Sequence, residues 1–148
     1  NVLVTRTFSK IFGMAGLRVG YGMARPDIIK KTAKHIMAWP NGVGLTAAYH
    51  SYIDSDFIRF SRDKVLQGRD MVEKTCAQMG LTPVPSQANF VFVDVGRDAM
   101  TVRRAMAKEG VLINAGYDGY PQHLRVSMGR LEDLKTFDRV FKRVMSGA

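Results

Sequence analysis

The sequence predicts a mixed α/β chain. Residues 1–54 are expected to be the end of a larger α/β domain, and residues 55–148 a small α+β domain entered through a linking helix. Three observations lead there. Short apolar runs alternate with segments whose apolar residues recur every three or four positions. Ile58, Val65, Val72 and Met79 lie seven apart on one side of a helical stretch long enough to carry the chain between domains. Beyond it, strand and helix patterns repeat and end in an amphipathic helix through Leu131, Leu134, Phe137, Phe141 and Val144.

In chain order, Val2–Thr5 reads as a buried strand and Leu17–Ala24 as a second, whose glycines permit close approach of backbone. Pro26 suits the first position of a helix and Asp27 favours its amino terminus. Ile28, Ile29, Ala33, Ile36 and Met37 keep helical spacing until Pro40-Asn41-Gly42 breaks it, and a short helix follows over Thr46–Ile53. The long helix runs from Ser55 to Met79 and stops at Gly80. Asn89–Val95 reads as a strand, and Asp98–Glu109 as a helix capped by Asp98 and closed by Gly110. Val111–Asn114 and Leu124–Met128 read as the last strands.

An apolar share of 46% supports a packed core, and no apolar run approaches the ~18 residues of a membrane span. No signal peptide is visible, and one cysteine, Cys76, excludes an internal disulfide framework and fits a reducing cytoplasm. Cys76 sits in a helical pattern beside Val72 and Met79, where a buried structural thiol is expected. The nine methionines are scattered among the elements as core filling. The formal charge of +9 raises nucleic-acid binding. Yet the basic residues are spread over three helices and interleaved with Asp63, Asp70, Glu73, Glu109, Glu132 and Asp138, without an aromatic stacking stripe. Solvated helix faces account for them. His35, His50 and His123 lack metal-ligand spacing, so no metal is expected.

The chemistry concentrates in residues 5–22, Thr-Arg-Thr-Phe-Ser-Lys-Ile-Phe-Gly-Met-Ala-Gly-Leu-Arg-Val-Gly-Tyr-Gly. Lys10 follows two hydroxyl residues, Thr7 and Ser9, and precedes a glycine-punctuated turn and Arg18. Hydroxyls and a guanidinium are the donors a phosphate requires, and a lysine beside them can attack the carbonyl of a group so anchored. The structural alternatives are a surface lysine ending a strand, a salt bridge for Arg18, and turn-capping for Thr7 and Ser9. Arg125 interrupts an apolar strand, and a buried arginine demands an anion, either a substrate or a structural partner such as Asp94 or Asp118.

Residues 5–22 resemble the lysine-bearing signature of fold-type I pyridoxal-phosphate enzymes, and within them the histidinol-phosphate aminotransferase-like group. Gln87-Ala-Asn-Phe-Val-Phe-Val resembles the small-domain strand of that family. Gly110-Val-Leu-Ile-Asn and His123-Leu-Arg-Val-Ser-Met-Gly resemble its carboxyl-terminal segment. The resemblance implies the carboxyl-terminal portion of the fold, with residues 1–54 from the large cofactor-binding domain and 55–148 from the small one. It implies Lys10 as Schiff-base lysine and proton shuttle, and Ser9, Arg18 and Thr7 as phosphate contacts of pyridoxal 5'-phosphate. Such a lysine must be neutral to act, which partial burial and nearby positive charge would favour. Arg125 is implied to bind the substrate's acidic group.

Asn114 departs from the family pattern, which has a second, phosphate-holding arginine there; this leaves amino acids or amines other than histidinol phosphate open. The implied reaction is transamination between an amino donor and a 2-oxo acid in a cytoplasmic homodimer. A carbon–sulfur lyase, decarboxylase or racemase on the same scaffold is the alternative, as is a non-catalytic remnant or interaction module. The family's ring-binding aspartate, asparagine, tyrosine and stacking aromatic precede the lysine. Their part of the protein, or a separate chain carrying it, is expected to complete the site.

Overall fold

The structure is a computed structural model and describes residues 1–147. Two compact units emerge, Asn1–Arg62 and the remainder from Asp63, and the division falls inside a helix.

In the first unit, β1 (Val4–Thr7) pairs antiparallel with β2 (Gly20–Met23), Val4 opposite Met23 and Thr7 opposite Gly20. Both strands start later than the sequence suggests. Val2 and Leu3 are exposed rather than buried, because a two-stranded ribbon leaves its faces and edges uncovered. Leu17 belongs instead to a 3₁₀ turn, Ala15–Leu17. Helix α1 (Pro26–Ala33) has Pro26 in its first turn and ends before Ile36 and Met37, which are exposed. Helix α2 (Gly42–Ile53) begins four residues before the expected Thr46. The side chain of Asn41 accepts the Gly44 N–H at 3.2 Å, so Pro40-Asn41-Gly42 starts a helix rather than only interrupting one. The small core of this unit is Phe8, Met14, Val19 and Ala48, flanked by Phe12, Leu17 and Ala47.

Helix α3 (Ser55–Gln78) crosses into the second unit. The Phe57 N–H donates to the Asp54 carboxylate at 2.9 Å at its start, and Gly80 takes the left-handed conformation (φ 70°) just past its end. In the second unit β3 (Phe90–Asp94) pairs antiparallel with β4 (His123–Ser127). Between them α4 (Ala99–Lys108) is capped by Asp98, whose carboxylate accepts the Thr101 N–H at 2.7 Å. Side-chain and backbone hydrogen bonds from Thr101 hold the Asp98 carboxyl below its ordinary value. Val111–Asn114 does not form the expected strand. Its one sheet contact is an isolated bridge from Asn114 to Arg125, because Val111 is drawn back to the Met106 carbonyl at the end of α4.

Helix α5 (Leu131–Ser146) buries Leu134, Phe137, Val140, Phe141 and Met145. With Val72, Cys76, Val91, Val93, Leu124 and Val126 they form the main core of the second unit. Cys76 is fully buried, and burial, followed by the Glu73 carboxylate, pushes its thiol up to about 11, as expected of a structural cysteine. Some of the basic residues on or beside the helices form ion pairs, among them Arg69 with Glu73, Lys142 with Asp138, Arg130 with Asp133 and Arg143 with Glu109. No helix among the described residues is long and apolar enough to cross a membrane.

Candidate active site

The Lys10 segment is a loop, residues 8–19, closed at its base. The β1–β2 pairing ends at Thr7 opposite Gly20, and the Phe8 N–H donates to the Val19 carbonyl at 3.1 Å. Space is tight here: a Cβ on Gly20 would lie 2.7 Å from the Arg6 carbonyl oxygen. Phe8, Met14 and Val19 point into the small core, and the Phe8 and Phe12 rings meet at 4.6 Å. Burying Phe8 and Val19 turns their neighbours outward. Ser9 and Arg18 therefore lie directly on either side of the closing hydrogen bond, and Lys10 follows Ser9.

Two short backbone bonds shape the rest of the loop. Gly13 N–H donates to the Lys10 carbonyl at 2.9 Å, and Met14 N–H to the Phe8 carbonyl at 3.0 Å. Lys10 is exposed, so the partial burial expected of it is not supplied by these residues. The Thr7 hydroxyl accepts the Ser9 N–H at 3.0 Å, the turn-capping alternative, while its own O–H remains a donor.

Arg18 is the one described non-glycine residue with positive φ, at φ 53° and ψ 50°. A left-handed arginine costs on the order of 1 kcal/mol or more and persists only where its surroundings impose it. They do here: the 3₁₀ turn ends on Arg18, and buried Val19 is tied to Phe8 immediately after. One guanidinium N–H donates to the Ala15 carbonyl at 2.8 Å, which orients the fork and leaves its other donors facing outward. Helix α2 supports this stretch from behind. A Cβ on Gly44 would stand 2.8 Å from Val19 Cγ2 and 3.3 Å from the Leu17 carbonyl oxygen, so only glycine permits this seating.

In the second unit, strand alternation puts Phe90, Phe92, His123, Arg125 and Ser127 on one face of the β3–β4 ribbon, opposite the buried Val91, Val93, Leu124 and Val126. Arg125 is half-buried. Its guanidinium stacks on the Phe90 ring at 4.2 Å, and it donates to the Ser127 hydroxyl at 3.1 Å. It makes no ion pair among the described residues, so neither Asp94 nor Asp118 is its structural partner; Asp94 instead accepts the Gly96 N–H.

Asn114 stands beside Arg125, their backbones exchanging hydrogen bonds of 3.1 and 2.8 Å. A guanidinium held flat by an aromatic ring, with an amide as neighbour, can receive a carboxylate through two parallel hydrogen bonds. Sequence reasoning missed Phe90 and Ser127 as the groups that orient Arg125; the period-two spacing of Ser127 from Arg125 was legible, whereas Phe90 reaches it only through the register of β3 against β4. His123 stacks on Phe92 at 4.7 Å, and its Nδ1 finds no partner among the described residues.

Comparison with known proteins identifies the family. The family described as Aminotransferase class I and II matches residues 1–141. A histidinol-phosphate aminotransferase of Moorella thermoacetica is 38% identical over 99% of the chain, and one of Symbiobacterium thermophilum is 37% identical over 98%. The crystal structure of histidinol-phosphate aminotransferase from Sinorhizobium meliloti in complex with pyridoxal-5'-phosphate superimposes with a TM-score of 0.87 at 30% identity, covering 99% of this chain. The chain spans only 38%, 41% and 42% of these proteins. On the family match and the fold together, the chain belongs to the class I and II aminotransferases.

Proposed function

We propose that the chain carries the lysine-bearing portion of a pyridoxal-phosphate-dependent aminotransferase that exchanges amino groups between an amino acid or amine and a 2-oxo acid. In this reading residues 1–54 close the large cofactor-binding domain and residues 55–148 make up the small domain, in a cytoplasmic homodimer. The observation that carries it is the loop 8–19. One backbone hydrogen bond, Phe8 to Val19, sets Ser9 and a strained Arg18 on its two sides with Lys10 exposed next to them. The burial of Val19 and its bond to Phe8 impose the left-handed Arg18, and the same geometry presents its guanidinium beside Ser9 and Lys10, where a ligand's phosphate can use it.

The residues fit the group. The Ser9 hydroxyl, the outward donors of Arg18 and the free O–H of Thr7 supply neutral and charged hydrogen bonds to a phosphate, and Lys10 Nζ supplies a primary amine. When bound, pyridoxal phosphate supplies an electron sink for the substrate's α carbon. Lys10 Nζ would hold the group and, when not bonded to it, would be the amine placed to carry a proton at the substrate α carbon. Arg18 and Ser9 fix the phosphate so that the reacting end stays within reach of Lys10. Arg125 receives the substrate's carboxylate, held flat by Phe90 and steered by Ser127, and Asn114 beside it adds hydrogen bonds without charge. A carboxylate matches one guanidinium and an amide, whereas a phosphate dianion calls for a second cation.

The test is the visible absorbance that pyridoxal phosphate acquires on covalent attachment to a lysine. The full-length protein should show the band and Lys10→Ala in it should abolish it, whereas the 148 residues alone, without the ring-binding residues, are expected to bind the cofactor weakly and to transaminate little or not at all. A mutant that kept the band would remove Lys10 from the role. Product analysis with amino acids distinguishes transamination, which yields a 2-oxo acid, from decarboxylation, racemisation or carbon–sulfur cleavage.

A further inference from the structure

Helix α4 and the segment that returns from it flank a cleft of about 610 Å³, lined by Arg103, Arg104 and Ala107 from the helix and by Leu112, Ile113 and Asn114. Two guanidinium groups and one amide line it, and no carboxylate does. Arg104 is partly engaged: it donates to the Thr101 hydroxyl at 3.0 Å and lies 3.8 Å from the Asp98 carboxylate. Among the described residues Arg103 makes no ion pair, and its guanidinium donates to Met100 Sδ at 3.9 Å. That sulfur also marks the path of the returning chain. A Cβ on Gly116, two residues beyond Asn114, would stand 3.1 Å from Met100 Sδ, and Gly116 holds a φ of 82°. Arg103 and Gly116 thus meet the same sulfur, which sets the unpaired guanidinium beside residues 114–116.

Asn114 belongs to this cleft and also to a smaller opening that contains Arg125 and Ser127. Its backbone exchanges two hydrogen bonds with Arg125, and the side chains of such a pair project on the same face. Cations from α4 and from β4 therefore border one neutral amide. Charge and size indicate what the cleft would hold. One unpaired guanidinium, the spare donors of a second and an amide match a dianion better than a monoanion. The volume is far larger than a bare phosphate needs, and Ala107 and Leu112 offer an apolar wall to the rest of a ligand.

We propose that the Arg103–Arg104–Asn114 cleft binds a phosphomonoester with a small apolar body, at a position separate from the carboxylate position at Arg125 and joined to it through Asn114. Arg103 receives two phosphate oxygens through its fork, Arg104 and the Asn114 amide bond the others, and the body lies on Leu112. The inference rests on the geometry of the second unit and not on the role of Lys10.

The test uses the full-length protein saturated with pyridoxal phosphate, so that the position at Ser9 and Arg18 is filled. It is titrated by calorimetry with phenyl phosphate, inorganic phosphate and benzoate. Phenyl phosphate should bind most tightly, and Arg103→Gln should weaken it by at least about 10-fold, the loss of a charged hydrogen-bonding partner. Leu112→Gln should erase its advantage over inorganic phosphate. Both side chains are exposed, so circular dichroism of each variant should match the parent. No binding, binding indifferent to Arg103→Gln, or benzoate bound as tightly as phenyl phosphate overturns the proposal. Kinetics with Arg103→Gln then assign the source of the phosphate. A raised KM for phosphorylated amino donors alone makes it part of the substrate. Loss of an effect of phenyl phosphate on turnover of an unphosphorylated donor makes it a separate ligand. Because the titration reads binding and not turnover, its failure is distinct from failure of the Lys10 assignment.

Discussion

Gly44→Ala tests whether α2 is seated on the segment that carries Arg18. The added Cβ would stand 2.8 Å from Val19 Cγ2, 3.3 Å from Asn41 Nδ2 and 3.3 Å from the Leu17 carbonyl oxygen. Non-bonded carbons prefer about 3.5–4.0 Å, so something must move. Val19 is β-branched and only 9% exposed, which limits its rotamers, and Leu17 O is backbone. Overpacking of this kind costs about 1–3 kcal/mol, against a helix-propensity gain of at most ~1 kcal/mol for alanine over glycine. The clash outweighs the gain at all but its lower limit, and with the full gain subtracted the net loss is up to about 2 kcal/mol, or up to roughly 30-fold in the opening equilibrium of the loop. Gly42→Ala is the control, since no atom lies within 4 Å of its added Cβ.

The assay is hydrogen exchange at the Phe8 amide, which donates to Val19 across the base of the loop. Gly44→Ala should accelerate it by that factor and Gly42→Ala should leave it unchanged or slow it slightly. Equal exchange in the two variants would refute the close seating of α2 against residues 17–19.

Three further outcomes follow from the second unit. Burial works against the Asp138 carboxylate, but hydrogen bonds from Lys142 and Thr75 hold its pKa below the ordinary value. The lower folded-state value means that its contribution is complete above the unfolded pKa of about 4 and is lost as pH falls through the folded one. Asp138→Asn should therefore flatten the acid limb of stability against pH and cost about 0.5–1 kcal/mol at neutrality, the site being partly exposed; an unchanged acid limb in denaturant titrations would contradict this.

Cys76, fully buried and with its thiol raised to about 11, should react with a thiol reagent only as fast as the unit opens, and rapid labelling of the native protein would contradict its placement. Phe141 is fully buried and stacks on Phe137 at 5.1 Å, so Phe141→Ala should destabilise the unit by about 3–5 kcal/mol in denaturant unfolding, and a loss under ~1 kcal/mol would place it outside the core.

Much of the helical framework could be read from periodicity, because burial of one face imposes it. Ser55–Gln78 and Leu131–Ser146 lie within a residue or so of where the spacing of Val65, Val72, Leu134 and Phe141 put them. Where the residues carried two meanings, the sequence misled. Pro40-Asn41-Gly42 reads as a breaker, yet Asn41 is the cap of the next helix; a side chain that satisfies free N–H groups both ends one pattern and begins another. Ile36 and Met37 continue the period of α1 although the helix has ended, since periodicity records only which side chains are apolar, and these two are exposed.

For the candidate site, residue types were legible and conformations were not. Lys10, Ser9 and Arg18 stood out as donors in a row, but nothing in the letters requires Arg18 to be left-handed. That follows from Val19 being buried and bonded to Phe8, a contact eleven residues apart. The adjacency of Asn114 and Arg125 is likewise long-range, set by a single bridge rather than by the strand pattern expected over Val111–Asn114. Alternation did contain the information that Phe90 and Ser127 share the face of Arg125, once the register of β3 against β4 is known.

The central claim is that Lys10 is the amine that bonds pyridoxal phosphate. It is tested most directly by incubating the full-length protein with the cofactor, reducing with borohydride, and mapping the tagged lysine by mass spectrometry, the nine lysines of this chain among the candidates. Labelling should concentrate on Lys10 and fall sharply in Arg18→Ala, which removes the phosphate's charged partner. Labelling spread evenly over the lysines, or indifferent to Arg18, would contradict it.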